Sequence, residues 1–198
     1  MLFRSTKYPE IINYSEIGKP KNYGKRYTVN LNHPKFIELS QQIDMEVIKH
    51  FGSNPNIIAW QIDNEIGAEN EDFSDYSKSE FQLYLQNKYK TIENLNEKWG
   101  AHFWSFAFNE FSEIPLPSEE TGKLVATHPS LRLEWNRFNS LVNKKFALWR
   151  FNQLKKFSPD RWITTNFQHS RATHTDIFEL GEATDIYRRA IIEEDPQI

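Results

Sequence analysis

The sequence predicts a parallel α/β fold, either a closed barrel or a doubly wound sheet, and three observations predict it. Two short runs, Ile57-Ile58-Ala59-Trp60-Gln61-Ile62 and Trp162-Ile163-Thr164-Thr165-Asn166-Phe167, are largely apolar or β-branched and lie between turn residues. They read as strands, the first apolar enough to be buried on both faces of a parallel sheet. Helical periodicity precedes the first run and fills the interval before the second, and strand, helix, strand, helix in that order is the pattern of parallel α/β proteins.

Taken in chain order, the first ~30 residues are polar and rich in turn signals and read as a loop. Asn32-His33-Pro34 starts a helix, with Pro34 in its first turn and Phe36, Leu39, Ile43 and Val47 on one apolar face. Phe51-Gly52-Ser53-Asn54-Pro55 ends it, and the first strand follows. After Gly67 comes an acidic run (Glu69, Glu71, Asp72, Asp75), read as a solvated face, before Phe81, Tyr84, Leu85 and Tyr89 resume helical spacing. A short helix is capped by Thr91, carries Ile92, Leu95 and Trp99, and stops at Gly100. The aperiodic stretch from Ala101 to Val125 is too long and too aromatic for a mere connector. From Pro129 to Ser158-Pro159 runs a long helix with a core stripe of Leu131, Trp135, Phe138, Val142, Phe146 and Trp149. The second strand follows, then a short helix around Ile177, Phe178 and Leu180, and the start of a third strand at Asp185-Ile186-Tyr187.

Composition narrows the function. With 38% hydrophobic and 15% aromatic residues in 198, the chain can bury a core, and a formal net charge of −3 excludes nucleic-acid binding by bulk positive charge. The absence of cysteine excludes disulfides, thiolate zinc sites and a cysteine nucleophile. No run approaches the ~20 apolar residues of a membrane span, and the first residues lack the apolar stretch of a secretory signal. The expectation is a soluble, cytoplasmic protein with no nucleic-acid or membrane partner. Neither strand is followed by a phosphate-binding glycine pattern, which disfavours nucleotide binding.

The chemistry is expected where strands end. In a parallel barrel, functional groups stand at the C-terminal ends of strands, and Gln61-Ile62-Asp63-Asn64-Glu65 puts a carboxamide beside a carboxylate there. A carboxylate just past an apolar strand can be partly desolvated and act as a general acid, while Asn64 can bind a hydroxyl as donor and acceptor. Polar residues at a strand end also cap the following segment, and spacing alone leaves both roles open.

The decapeptide Ile58-Ala59-Trp60-Gln61-Ile62-Asp63-Asn64-Glu65-Ile66-Gly67 resembles the strand-four motif of glycoside hydrolase family 42, the bacterial β-galactosidases. Further resemblances follow in order: Lys7-Tyr8-Pro9-Glu10-Ile11, then Leu95-Asn96-Glu97-Lys98-Trp99-Gly100 with Phe103-Trp104-Ser105. Leu131-Arg132-Leu133-Glu134-Trp135-Asn136-Arg137-Phe138 and Ser158-Pro159-Asp160-Arg161 through Phe167 complete the series. The resemblance is strongest over residues 7–168. It implies an incomplete (β/α)8 TIM barrel, from the end of βα unit 3 through βα unit 5, with residues 1–198 forming part of the family's N-terminal catalytic barrel domain.

The resemblance further implies a retaining β-galactosidase in which Glu65 is the acid/base and Asn64 contacts the sugar hydroxyl beside the scissile bond. The second carboxylate that retention requires, about 5–5.5 Å from the first, ends strand seven in the family and has no counterpart here. Asp176, Glu179, Glu182 and Asp185 look like solvated helix-surface acids instead. The chain is therefore expected to be a fragment that is inactive alone; the alternative is a sugar-binding or oligomer-forming remnant, since family members resemble trimers.

No cofactor is expected, and no metal. Several members carry a zinc-binding cysteine cluster after the acid/base strand, and Asp72, Ser74 and Ser77 stand at those positions here. Phe103 and Trp104 are candidates for a sugar-stacking platform or for packing against the rim or a neighbouring subunit. His169 and His174 lack a shared helix face for metal binding, and His102 and His128 read as structural.

Overall fold

The computed structural model describes residues 7–21, 27–67, 70–117, 128–166 and 175–186. Glu69, Phe167, His169, His174, Tyr187 and the side chain of Trp104 lie outside the described residues. The elements are α1 (Pro34–Phe51), β1 (Ala59–Gln61), α2 (Asp75–Tyr89), α3 (Ile92–Trp99), α4 (Pro129–Phe157), β2 (Trp162–Thr164) and α5 (Ile177–Gly181), with short 3-10 turns at Pro9–Ile11, Phe103–Ser105 and Phe111–Glu113. Residues 1–30 with 71–138 form one compact unit, and 31–70 with 139–198 form the other. Among the described residues, no helix is long and apolar enough to cross a membrane.

Side chains close the helix ends as the sequence predicts. His33 precedes Pro34 and its Nδ1 accepts from the Lys35 amide at 3.2 Å, satisfying one of the free N–H groups of the first turn. Thr91 accepts from the Asn94 amide at 3.2 Å, and Gly100, at φ 63°, ends α3 in the left-handed conformation. The long helix begins at Pro129, where His128 Nδ1 accepts from the Ser130 amide at 3.1 Å. His128 is stacked on Trp99 with ring centroids 5.5 Å apart, a structural role as expected.

In the first unit, α2 and the start of α4 meet through fully buried Trp135, Phe81 and Leu85. The Trp135 and Phe81 rings lie 5.2 Å apart edge to face, and Trp135 is 5.5 Å from Phe138, arrangements favoured by the ring quadrupoles. Residues 9–21 and 27–30 are more ordered than the loop expected of them. Antiparallel bridges join Ile12 to Val29 and Tyr14 to Pro20, and Ile11 is fully buried. The acidic run is not simply solvated either: Asp72 is 4% exposed, and Glu71 accepts from Trp135 Nε1 at 2.8 Å.

The second unit holds the sheet. β1 and β2 are parallel, with Ala59, Trp60 and Gln61 opposite Trp162, Ile163 and Thr164. Alternation turns Trp60 and Ile163 to one face, where they join Ile62, Ile66, Ala147, Leu154 and Leu180 in the core. On the opposite face Ala59 is half-buried and Gln61 exposed, so β1 is buried on one face rather than both. Both strands are shorter than their apolar runs, because ladder hydrogen bonds, not hydrophobicity, set their ends. The third strand expected at Asp185 does not form in the described residues; Asp185 bends and Ile186 is helical. Asp185 still serves the edge of β2, donating its amide to the Ile163 carbonyl and accepting the Ile163 amide on Oδ2, both at 2.8 Å.

One predicted helix face is shifted. On α1 the buried residues are Phe36, Ser40 and Ile48, whereas Ile43 is 50% and Val47 39% exposed. The four-residue row that faces inward includes Asp44, which pairs with Arg150 Nε at 2.9 Å. An ion pair rather than the most apolar row therefore sets the rotation of α1. The α4 stripe behaves as core at Leu131, Trp135, Phe138 and Phe146, with Val142 and Trp149 half-buried.

A buried carboxylate organises the first unit. Glu134, 1% exposed, accepts from Tyr84 Oη at 2.9 Å and from Lys88 Nζ and Arg137 Nη1 at 2.6 Å. Burial pushes its titration up, but the hydrogen bonds from Lys88, Arg137 and Tyr84 outweigh this and hold it below the ordinary glutamate value. A depressed carboxylate stabilises the fold above its unfolded value, and that contribution disappears as pH falls through the folded one. Glu134→Gln is expected to cost about 1–2 kcal/mol near neutrality, because both cations reach solvent and rehydrate. In urea titrations the gap between wild type and variant should close progressively below about pH 4; a gap independent of pH would refute the assignment.

Candidate active site

Glu65 stands four residues past the end of β1, in a turn whose backbone is held in unusual conformations. Asp63 (φ 117°), Glu65 (φ 55°) and Gly67 (φ 93°) all have positive φ. For the two non-glycine residues this costs about 1–3 kcal/mol each, and such strain persists only where the surroundings over-determine it.

Several contacts do so. Ile62 and Ile66, each 3% exposed, sink into the core on either side of the turn. The carbonyl of Asp63 accepts from Gln61 Nε2 at 2.9 Å and from Thr165 Oγ1 at 3.4 Å. Its carboxylate takes the Asn64 amide at 2.8 Å and Arg150 Nη1 at 2.9 Å, with the guanidinium 4.5 Å above the Phe146 ring. Gly67 must be glycine twice over. A Cβ there would lie 2.1 Å from Thr175 Oγ1, whose position is fixed by a 2.9 Å hydrogen bond from Asn143, itself 1% exposed.

Between these anchors Asn64 is exposed and Glu65 half-buried. The residue that joins them is Asn166, two positions beyond β2. Its Oδ1 accepts from Gln61 Nε2 at 3.0 Å and from the Glu65 amide at 3.2 Å, while its Nδ2 donates to Asn64 Oδ1 at 3.1 Å. The arrangement presents a carboxyl group and a carboxamide side by side, able to exchange a proton and to bind a hydroxyl.

The structure brings Asn64 and Glu65 together in the second unit; Phe103, 68% exposed, and the backbone of Trp104 belong to the first. The acids after β2 are engaged elsewhere. Asp176 caps α5, Glu179 and Glu182 reach Lys144 at 3.7 and 3.2 Å, and Asp185 pairs with Lys155 at 2.7 Å. Sequence reasoning missed Asn166 and Arg150 as parts of the site. The signal for Asn166 was its place at the C-terminal end of the second apolar run, which the pairing sets level with Asp63 past the first; Arg150 sat unmarked in the middle of α4.

At the positions aligned with the cysteine cluster, the residues present do not fit a metal. The Asp72 carboxylate accepts from the amides of Tyr14 (2.7 Å) and Ser74 (3.2 Å), Asn30 Nδ2 (2.7 Å), Ser77 Oγ (2.6 Å) and Ser74 Oγ. Its lone pairs are occupied by donors, and hydroxyls pointing hydrogens at a carboxylate are not poised as metal ligands. Among the described residues, no group of three or more His, Asp or Glu is placed to hold an ion.

A parallel strand that ends in an amide and a carboxyl group fits the parallel α/β architecture expected of the chain, and comparison with known proteins gives the family. The β-galactosidase model of glycoside hydrolase family 42 matches residues 3–190, and the chain belongs to this family. β-Galactosidase BbgII of Bifidobacterium bifidum is 32% identical over 82% of the chain, which spans 24% of that protein. BglY of Alicyclobacillus acidocaldarius is 30% identical over 82% of the chain and 23% of its own length. Among solved structures, the β-galactosidase of Rahnella sp. R3 superposes with a TM-score of 0.85 at 28% identity, covering 93% of this chain and 26% of that one. That of the psychrophilic Marinomonas ef1 gives 0.84 at 26%, covering 92% and 28%. The chain thus spans about a quarter of the length of the relatives it matches.

Two outcomes follow for stability. Gly67→Ala should lose about 3 kcal/mol or more in urea denaturation, whereas Gly18→Ala, with a similar φ of 70° and nothing within 4 Å of its added Cβ, should lose about 1 kcal/mol. Equal losses would mean that Thr175 does not crowd Gly67. Asp72→Asn should lower stability by about 2–4 kcal/mol, since it turns an acceptor among five donors into a donor. A chelator should leave the melting temperature of the wild-type chain unchanged, and a drop on chelation would show that an ion occupies that cluster.

Proposed function

We propose that this chain supplies the acid/base half of a retaining β-galactosidase site, with β1 and β2 as the fourth and fifth staves of a (β/α)8 barrel. The observation that carries the proposal is Glu65, half-buried in a strained and heavily anchored turn at the C-terminal end of a parallel strand, with Asn64 beside it. Membership of a family whose relatives are named β-galactosidases supplies the substrate class.

In this reading Glu65 gives its proton to the glycosidic oxygen as the bond to the anomeric carbon breaks. A carboxylate about 5–5.5 Å away, on the opposite face of the sugar, forms the glycosyl-enzyme. Glu65, now ionised, takes a proton from water as that water attacks the anomeric carbon, and the galactose leaves with its configuration retained. Asn64 holds the hydroxyl next to the reacting centre, fixing the ring for in-line attack. Asp176 caps α5, and Glu179, Glu182 and Asp185 pair with lysines, which supports the reading that the nucleophile comes from outside this stretch.

The 198-residue chain alone is expected to release no phenol from an aryl β-galactoside. Turnover that Glu65→Gln abolishes would mean the chain holds its own nucleophile. In the polypeptide that adds the remaining staves, Glu65→Ala should lower kcat by about 10²–10⁴ for an unactivated galactoside. Azide should restore cleavage of a dinitrophenyl galactoside and yield the β-galactosyl azide; failure of azide to rescue would remove Glu65 from the acid/base role.

A further inference from the structure

We infer that Asn166 is the positioning residue of the site: its single amide sets both the peptide of Glu65 and the amide orientation of Asn64. The functional meaning rests on the reading of Glu65 as acid/base; the geometry itself does not. Asn166 lies on the segment following β2, while Gln61, Asn64 and Glu65 follow from β1, so its three hydrogen bonds span neighbouring strands.

The orientation of that amide is dictated by its surroundings. Its oxygen faces two donors, the Gln61 Nε2 and the Glu65 backbone N–H, and its nitrogen faces an acceptor, Asn64 Oδ1. Turning the amide over would set NH₂ against two donors and oxygen against oxygen, losing all three bonds. Gln61 in turn is anchored to the Asp63 carbonyl at 2.9 Å, so the reference point is the strained turn itself.

Two consequences follow. The Glu65 amide is gripped in the conformation with φ 55°, which fixes where the side chain leaves the backbone. The hydrogen bond that Oδ1 of Asn64 accepts from Asn166 fixes which way round that amide sits, and with it the edge Asn64 turns to a sugar hydroxyl. Shorter or charged replacements do only part of this. Aspartate keeps the acceptor and loses the donor, serine is too short for three partners on two strands, and alanine has neither group.

The test uses two variants with different expected patterns. In the ¹⁵N-labelled 198-residue chain, Asn166→Ala should speed hydrogen exchange of the Glu65 amide by about fivefold to tenfold and shift the Asn64 side-chain amide signals. Asn166→Asp should keep the Glu65 amide protected while shifting the Asn64 signals alone. If both variants leave Glu65 and Asn64 unchanged, or perturb them alike, the inference is overturned, whether or not the chain binds sugar. The kinetic counterpart, in the polypeptide with the remaining staves, is a leaving-group split. Asn166→Ala should reduce kcat/KM on an unactivated galactoside by about 10–100-fold and leave kcat/KM on a dinitrophenyl galactoside nearly untouched, because only the former needs a well-aimed acid to break its glycosidic bond. Equal loss on both substrates would mark Asn166 as structural. Failure of azide to rescue Glu65→Ala, by contrast, would sink the acid/base reading and leave the amide-exchange pattern standing.

Discussion

The site depends on one constraint: the chain leaving β1 must change direction within a few residues while both Ile62 and Ile66 stay in the core. Two apolar anchors so close in sequence leave the intervening backbone little choice, and it takes left-handed conformations at Asp63 and Glu65. The cost of that strain, several kcal/mol in sum, is met by contacts from three directions. Arg150 holds Asp63 from α4, Asn166 holds the Glu65 amide from the neighbouring strand, and Thr175 with Asn143 closes on Gly67. The turn is the place where the fold concentrates both strain and restraint.

Arg150 links this turn to the packing of the helices. Its guanidinium lies on Phe146 and divides its donors between Asp44 on α1 and Asp63 in the turn. The same side chain therefore sets how α1 is rotated and how the strand end is held. Arginine suits the task because its planar fork reaches two carboxylates at once and its face packs on an aromatic ring, which lysine cannot do together. The exposed Ile43 and Val47 are the counterpart of that choice: turning Asp44 inward turns them out.

Much of this was legible beforehand, and the reasons for the gaps are physical. Helix ends were readable because capping is local: His33-Pro34, Thr91 and Gly100 act on amides and carbonyls within a few residues. The parallel pairing of Ala59–Gln61 with Trp162–Thr164 followed from the order of apolar runs. The rotation of α1 was not readable, because it is decided by Arg150, more than a hundred positions away in sequence. The acidic run after Gly67 misled for a similar reason. Asp72 looks solvated until Tyr14 and Asn30, from distant segments, surround it with donors. Within the site, Asn64 and Glu65 were marked by their neighbours in sequence, whereas Asn166 is a partner only through the β1–β2 ladder.

The ladder also separates two carboxylates that the sequence leaves equivalent. Asp63 and Glu65 both follow the strand, and either could be the group that does chemistry. Asp63 has its oxygens bound to the Asn64 amide and to Arg150, so its charge is neutralised in place and its lone pairs face the protein. Glu65 carries its constraint on the backbone instead, through the amide that Asn166 accepts. That division separates two neighbouring residues of one turn: Asp63 is tied through its carboxylate to Asn64 and Arg150, and Glu65 through its peptide to Asn166.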